Sequence, residues 1–167
     1  MRSFEKEDGP KIELLMITIA PEDARSQVAQ NLLSAFVEDV KRRYSTPPAD
    51  VGTFDSSLVS APRSVFLVAW RDKTAIGCGA LVAMDENCVE VKRMYVTPTE
   101  RGYGVATRIL EELERCAREF DYDAIRLETG INQPESIALY GKAGFYRIPN
   151  FTPFVEDGSA VCFEKRI

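Results

Sequence analysis

The chain has 167 residues, is 45% hydrophobic and 28% charged, and carries a net charge of −5. This is the profile of one soluble domain over residues 1–167 with a core of its own. No apolar run approaches the roughly 20 residues that span a bilayer, and the acidic balance argues against a nucleic-acid partner. In chain order, Lys11–Ile19 reads as a strand. Pro21-Glu22-Asp23 suits the first turn of a helix, and Ala24–Tyr44 continues it with Val28, Leu32, Leu33, Phe36, Val37 and Val40 at helical spacing. Lys41-Arg42-Arg43 reads as a solvated helix end. Ser45–Arg63 is a turn-rich connection, with a short helix expected near Phe54–Val59. Strands Ser64–Arg71 and Thr74–Met84 follow, joined by a short turn at Asp72-Lys73. Gly77 and Gly79 in the second of them mark a bulge or a close backbone approach.

The stretch Val89–Ala106 organises the rest. Val89–Val96 is a strand, and Thr97-Pro98-Thr99-Glu100 breaks it because proline cannot continue a ladder. Arg101-Gly102-Tyr103-Gly104 then opens a helix running to about Phe120. Its buried stripe is Val105, Ile109, Leu110, Leu113, Cys116, Ala117 and Phe120. Glu111 with Arg115 and Glu114 with Arg118 are expected as pairs on its wet side. Two glycines at a strand-to-helix turn let the backbone approach a ligand, and the first amides of the helix attract anions. Together they make a phosphate site of main chain. A dinucleotide fingerprint would need a third glycine where Thr107 stands, and a P-loop would need Gly-Lys-Ser/Thr. After this helix come a strand at Ala124–Thr129, a helix from Pro134 through Lys142 stopped by Gly144, and strands Phe145–Ile148 and Ala160–Lys165.

The four cysteines have no C-x-x-C spacing, and there is no histidine. No metal site and no Ser-His or Cys-His catalysis is expected. The cysteines read as buried free thiols of a cytoplasmic protein, and the N-terminus lacks the apolar segment of a signal peptide. A general base must therefore be a carboxylate, a lysine, a tyrosine or water.

Thr99-Glu100-Arg101-Gly102-Tyr103-Gly104 resembles the acyl-CoA pyrophosphate loop of the GNAT N-acetyltransferase superfamily, with Thr99 in place of the usual Gln or Arg. Ala138-Leu139-Tyr140-Gly141-Lys142-Ala143-Gly144-Phe145 resembles that superfamily's second acyl-CoA block, with Asn132 or Gln133 as its amide. The resemblance implies an α/β fold, a mixed and mostly antiparallel central sheet flanked by helices. It implies acetyl-CoA as co-substrate and transfer of its acetyl group to a primary amine of a small molecule by direct attack. Tyr140 would be the acid and Glu90 the base, directly or through water, with Glu128 as the alternative carboxylate. Met94, Tyr95 and Val96 would meet the pantetheine arm, and Arg101, Gly102, Tyr103, Gly104, Val105 and Ala106 the pyrophosphate, with charge added by Arg101 and Arg108. The acceptor side would draw on Phe54, Phe151 and Phe154, with Asp55, Glu156 and Asp157 attracting a cation. A non-catalytic acyl-CoA sensor and a protein N-terminus or lysine as acceptor stay open. Pairing of two copies through the closing strands is compatible with this layout.

Overall fold

The computed structural model describes residues 16–46, 51 and 54–167. Its strands are β1 (Ile17–Pro21), β2 (Val65–Arg71), β3 (Thr74–Ala83), β4 (Cys88–Val96), β5 (Ala124–Gly130), β6 (Tyr146–Ile148) and β7 (Ala160–Arg166). Its helices are α1 (Gln27–Arg43), α2 (Val105–Glu119) and α3 (Pro134–Lys142). The strands form one sheet in the order β1-β2-β3-β4-β5-β7-β6. All neighbours are antiparallel except β4 and β5, as a mixed, mostly antiparallel sheet requires. The parallel ladder runs only from Cys88↔Ala124 to Val91↔Leu127. Both strands continue past it, so the sheet carries a slot at its centre.

The expected strand Lys11–Ile19 lies partly outside the described residues, and β1 extends beyond it to Pro21. Pro21 therefore does not start the helix. It pairs with Leu67 on an edge strand, where its missing N–H is tolerated. The helix begins six residues later because Ser26 supplies a cap, its hydroxyl accepting the Ala29 N–H at 3.2 Å. The short helix expected near Phe54 is a 3-10 turn at Ser56–Ser60, capped by Asp55.

Alternation along the strands divides the core into two layers. On one face Leu67, Leu81, Val89, Val91, Ile125 and Leu127 pack against Ile109, Leu110 and Leu113 of α2. On the other, Phe66, Val68, Cys78 and Ala80 pack against Leu32 and Leu33 of α1. Fully burying such side chains contributes roughly 1.5–3 kcal/mol each. The glycines of β3 set how close α2 lies. A Cβ on Gly79 would meet Met94 Sδ at 2.8 Å and Ile109 and Leu113 at 2.9 Å. The β3–β4 register shifts at this place, so the bulge read from the sequence is present.

Two expectations about α2 need correcting. Glu114 does pair with Arg118, at 3.4 Å, but it is buried and not on the wet side, and Lys165 of β7 sits 2.8 and 2.9 Å from its two carboxylate oxygens. Arg115 pairs with Glu112 and Glu119 rather than Glu111. All four cysteines are buried and unpaired, and burial pushes the Cys78 thiol up to about 12.

Candidate active site

Beyond the point where β4 and β5 part, β4 runs on to Val96 and the chain leaves it through a 3-10 turn, Pro98–Glu100. Glu100 is pinned there by the Arg71 guanidinium at 2.7 Å. Gly102 and Gly104 follow with φ of +83° and +81°, a conformation other residues adopt only at a cost. Gly104 is the N-cap of α2. The turn thus delivers the unpaired amides of a fifteen-residue helix to the end of β4.

These elements enclose a cavity of about 320 Å³. Its walls are Met94, Tyr95 and Val96 of β4, Arg101, Gly102 and Gly104 of the turn, and Val105 and Ala106 of α2. Gln133, Ser136, Leu139 and Tyr140 close it from the α3 side. Most of the residues expected at a cofactor therefore come together. Tyr103 is exposed and lies outside this lining. Of the two amides, Gln133 lines the cavity, whereas Asn132 turns to α1, its side chain donating to the Arg43 carbonyl at 3.4 Å. Arg108 lines a different groove, beside Ile17–Ile19 of β1.

The first helix contributes more than the sequence suggested. Phe36, Asp39, Val40 and Arg43 line the cavity. Their spacing of three, four and seven is one helical face, and two charges on a face otherwise apolar are the signal that identifies it. Asp39 pairs with Arg101 at 3.2 Å and with Arg43 at 3.4 Å, and Arg43 also pairs with Glu135 of α3. Arg43 is thus no solvated helix end. These ion pairs tie α1 to the glycine turn on one side and to α3 on the other.

A smaller cavity of about 70 Å³ adjoins the first and shares Phe36, Val40, Met94, Gln133, Ser136 and Tyr140 with it. Glu90, Lys92, Arg93 and Glu128 add four charged side chains to its lining. Tyr140 stands at the junction. It is 4% exposed and packs edge-on to Phe145, ring centroids 5.8 Å apart. Burial, with the negative charge of Glu128, holds its phenol well above the ordinary range, so it stays protonated. Glu90 is 7% exposed and holds Lys92 at 2.8 Å.

Two of the three loop acids expected to receive a cation have other partners. Asp55 accepts the Ser57 N–H at 2.9 Å, and Asp157 accepts the Ser159 N–H at 2.8 Å, so both fasten turns. Phe151 and Phe154 pack on each other and on Cys162. Phe54 packs against Phe66. Among the described residues no group of three metal-ligating side chains gathers, and no helix is long and apolar enough to cross a membrane.

A mixed sheet split between its parallel strands, with a glycine turn feeding a helix at the split, is an acyltransferase architecture. The profile of the acetyltransferase (GNAT) family matches residues 29–145. The chain is 37% identical over 145 residues to an IAA acetyltransferase of Azospirillum brasilense, covering 85% of this chain and 95% of that one. It superposes with a TM-score of 0.75 on a proposed acyl-CoA N-acyltransferase of Klebsiella pneumoniae, at 30% identity, covering 90% of this chain and 97% of that one. A GNAT acetyltransferase of Elizabethkingia anophelis, crystallised with acetyl-CoA, shares the fold at 18% identity, with a TM-score of 0.70 over 91% of this chain and 99% of that one. The protein belongs to the GNAT acetyltransferase family and is an acyltransferase.

Proposed function

We propose that the protein transfers the acetyl group of acetyl-CoA to the primary amine of a small molecule by direct attack. The observation that carries this reading is the position of Tyr140, shared by a long groove and a small charged cavity. The residues of the groove fit the co-substrate. Two glycines and the start of α2 offer amides to a pyrophosphate, Arg101 adds a cation, and the end of β4 runs beside the slot like a strand awaiting a partner. When bound, acetyl-CoA supplies an activated thioester.

An amine of pKa near ~10 must lose a proton before it attacks, and a departing thiolate of pKa about 8.5 must gain one. In this reading Glu90 accepts the proton of the ammonium, directly or through water. The freed nitrogen bonds to the carbonyl carbon, the carbon–sulfur bond breaks, the Tyr140 hydroxyl protonates the sulfur, and the second proton shed by the nitrogen as the amide forms returns to the phenolate through water. A main-chain amide near Val96 serves the carbonyl oxygen. A second reading gives the base to Glu128. It is favoured by the electrostatic contact of Glu128 with the Tyr140 phenol and by the Lys92 ammonium that Glu90 already holds.

Calorimetric titration with acetyl-CoA, followed by an amine screen read by thiol release, tests the proposal. One-to-one binding with transfer supports it, and binding without transfer to any amine overturns it. The pH profiles of Glu90→Gln and Glu128→Gln then choose the base, since the true base takes the acidic limb of the rate with it.

A further inference from the structure

Resting on the acetyl-transfer reading above, we infer that Tyr44 sets the length of acceptor that the small cavity takes, and that this acceptor is a short primary amine with an apolar body. Phe36 and Val40 of α1 and Tyr44 at its C-cap recur every fourth residue, so they follow one face of the helix. Phe36 and Val40 border both the groove and the small cavity. Tyr44, one turn and about 6 Å further along, borders the small cavity and lies outside the groove's lining. It therefore closes that cavity at the end away from the groove.

The ring is seated from the opposite side by a glycine. Tyr44 reaches across to β5, where a Cβ on Gly130 would overlap its hydroxyl and stand 2.7 Å from its Cζ. Gly130 has ordinary strand backbone, so what this position demands is space for the hydroxyl. The Asn132 N–H donates to that hydroxyl at 3.3 Å, the Asn132 side chain donates to the Arg43 carbonyl at 3.4 Å, and Arg43 pairs with Glu135. The end of α1 is thus fastened to the turn between β5 and α3, and a tyrosine held at both ends is a wall rather than a flap. In front of it lie about 70 Å³, room for roughly five water-sized groups at ~10–15 Å³ each, which a primary amine of about four carbons fills. On the strand side the charges are engaged within the protein, Lys92 on Glu90 at 2.8 Å and Arg93 over the Phe36 and Phe54 rings at 5.2 Å. Val40 and Tyr44 offer hydrocarbon to the body of the acceptor.

The test measures acetyl transfer from acetyl-CoA to n-alkylamines from ethyl to decyl. In the wild type kcat/KM is expected to rise up to roughly fourfold per buried methylene as far as butyl or pentyl. It then falls by roughly tenfold or more, because a longer chain must press on the seated ring. Tyr44→Ala moves this break to longer amines by several carbons. Tyr44→Phe, which keeps the ring and gives up only the hydroxyl, holds the break in place. Gly130→Ala fills the seat and moves the break, and adding Tyr44→Phe to it restores part of the wild-type profile. Melting curves and acetyl-CoA affinity establish that each variant is folded with its groove intact. A wild-type series without a break overturns the inference, as does a Tyr44→Ala series that drops evenly for all amines with the break unmoved.

The transfer reading is judged separately, on the wider amine screen. If acetyl-CoA binds and no alkylamine reacts, the length limit is decided by titrating N-acetyl-n-alkylamines of the same series into the CoA-loaded protein. A break in affinity that moves in Tyr44→Ala supports it, and a flat series or absent binding overturns it.

Discussion

The two halves of the site are built from different materials. The groove is made of main chain: glycines at positive φ, the first amides of α2 and the end of β4. The cavity beside it is made of side chains, with Glu90, Lys92, Arg93 and Glu128 converging from two strands. In the proposed reading the main chain meets acetyl-CoA, and hydrogen bonds from backbone amides survive most changes of side chain. In the same reading the side chains meet the acceptor, and a single substitution can change what they accept. Tyr140 belongs to both halves, so it is where the comparison is most easily broken.

Tyr140→Phe is expected to lower turnover about 10²- to 10³-fold while acetyl-CoA affinity stays within about twofold, checked by steady-state kinetics beside calorimetry. Equal turnover would remove Tyr140 as the acid. The raised phenol also has a pH consequence. A group that keeps its proton longer when folded contributes stability below its unfolded pKa and loses it as pH rises through the folded one. Wild-type activity should therefore show no alkaline loss from Tyr140 up to about pH 10, its ordinary range. Next in size is Gly79→Ala, whose Cβ would press on Met94, Ile109 and Leu113 together. It should cost ~1–3 kcal/mol and lower the melting temperature by several degrees, damaging both halves alike.

Gly104→Ala separates them. Strain at φ +81° should weaken acetyl-CoA binding roughly tenfold, with the ranking of acceptors unchanged in competition assays. The smallest effect is expected from Asp39→Asn. Releasing Arg101 and Arg43 from their carboxylate should tighten acetyl-CoA about two- to fivefold in low salt, with stability moving by less than ~0.5 kcal/mol. Weaker binding would mean that Asp39 positions these cations rather than competing for them.

The groove was legible in the sequence and the small charged cavity was not, and the reason is physical. A glycine pair after a strand and before an amphipathic helix is local, so Gly102 and Gly104 announce their backbone directly. Most strand and helix assignments held for the same reason. The errors came where distant partners decide. Pro21 looked like a helix start until an edge strand absorbed it. Arg43 looked solvated until Asp39 and Glu135 were folded against it. Phe151, Phe154 and Asp157, expected on the acceptor side, also make local contacts within their own loop. Arg93 carried no signal, because its orientation depends on a register shift against Gly79.

The slot between β4 and β5 has a consequence for solubility. Beyond Val91 and Leu127 the ladder stops, leaving strand edges with no strand partner between them. Such edges on a surface are templates for aggregation, and proteins usually blunt them with charge or proline. Here side chains of α1 and α3 line the slot, so the open edges face the cavity and not a bare surface. The edge that a ligand would pair with is thus held inside the fold rather than at the rim of the sheet, where β1 and β6 lie.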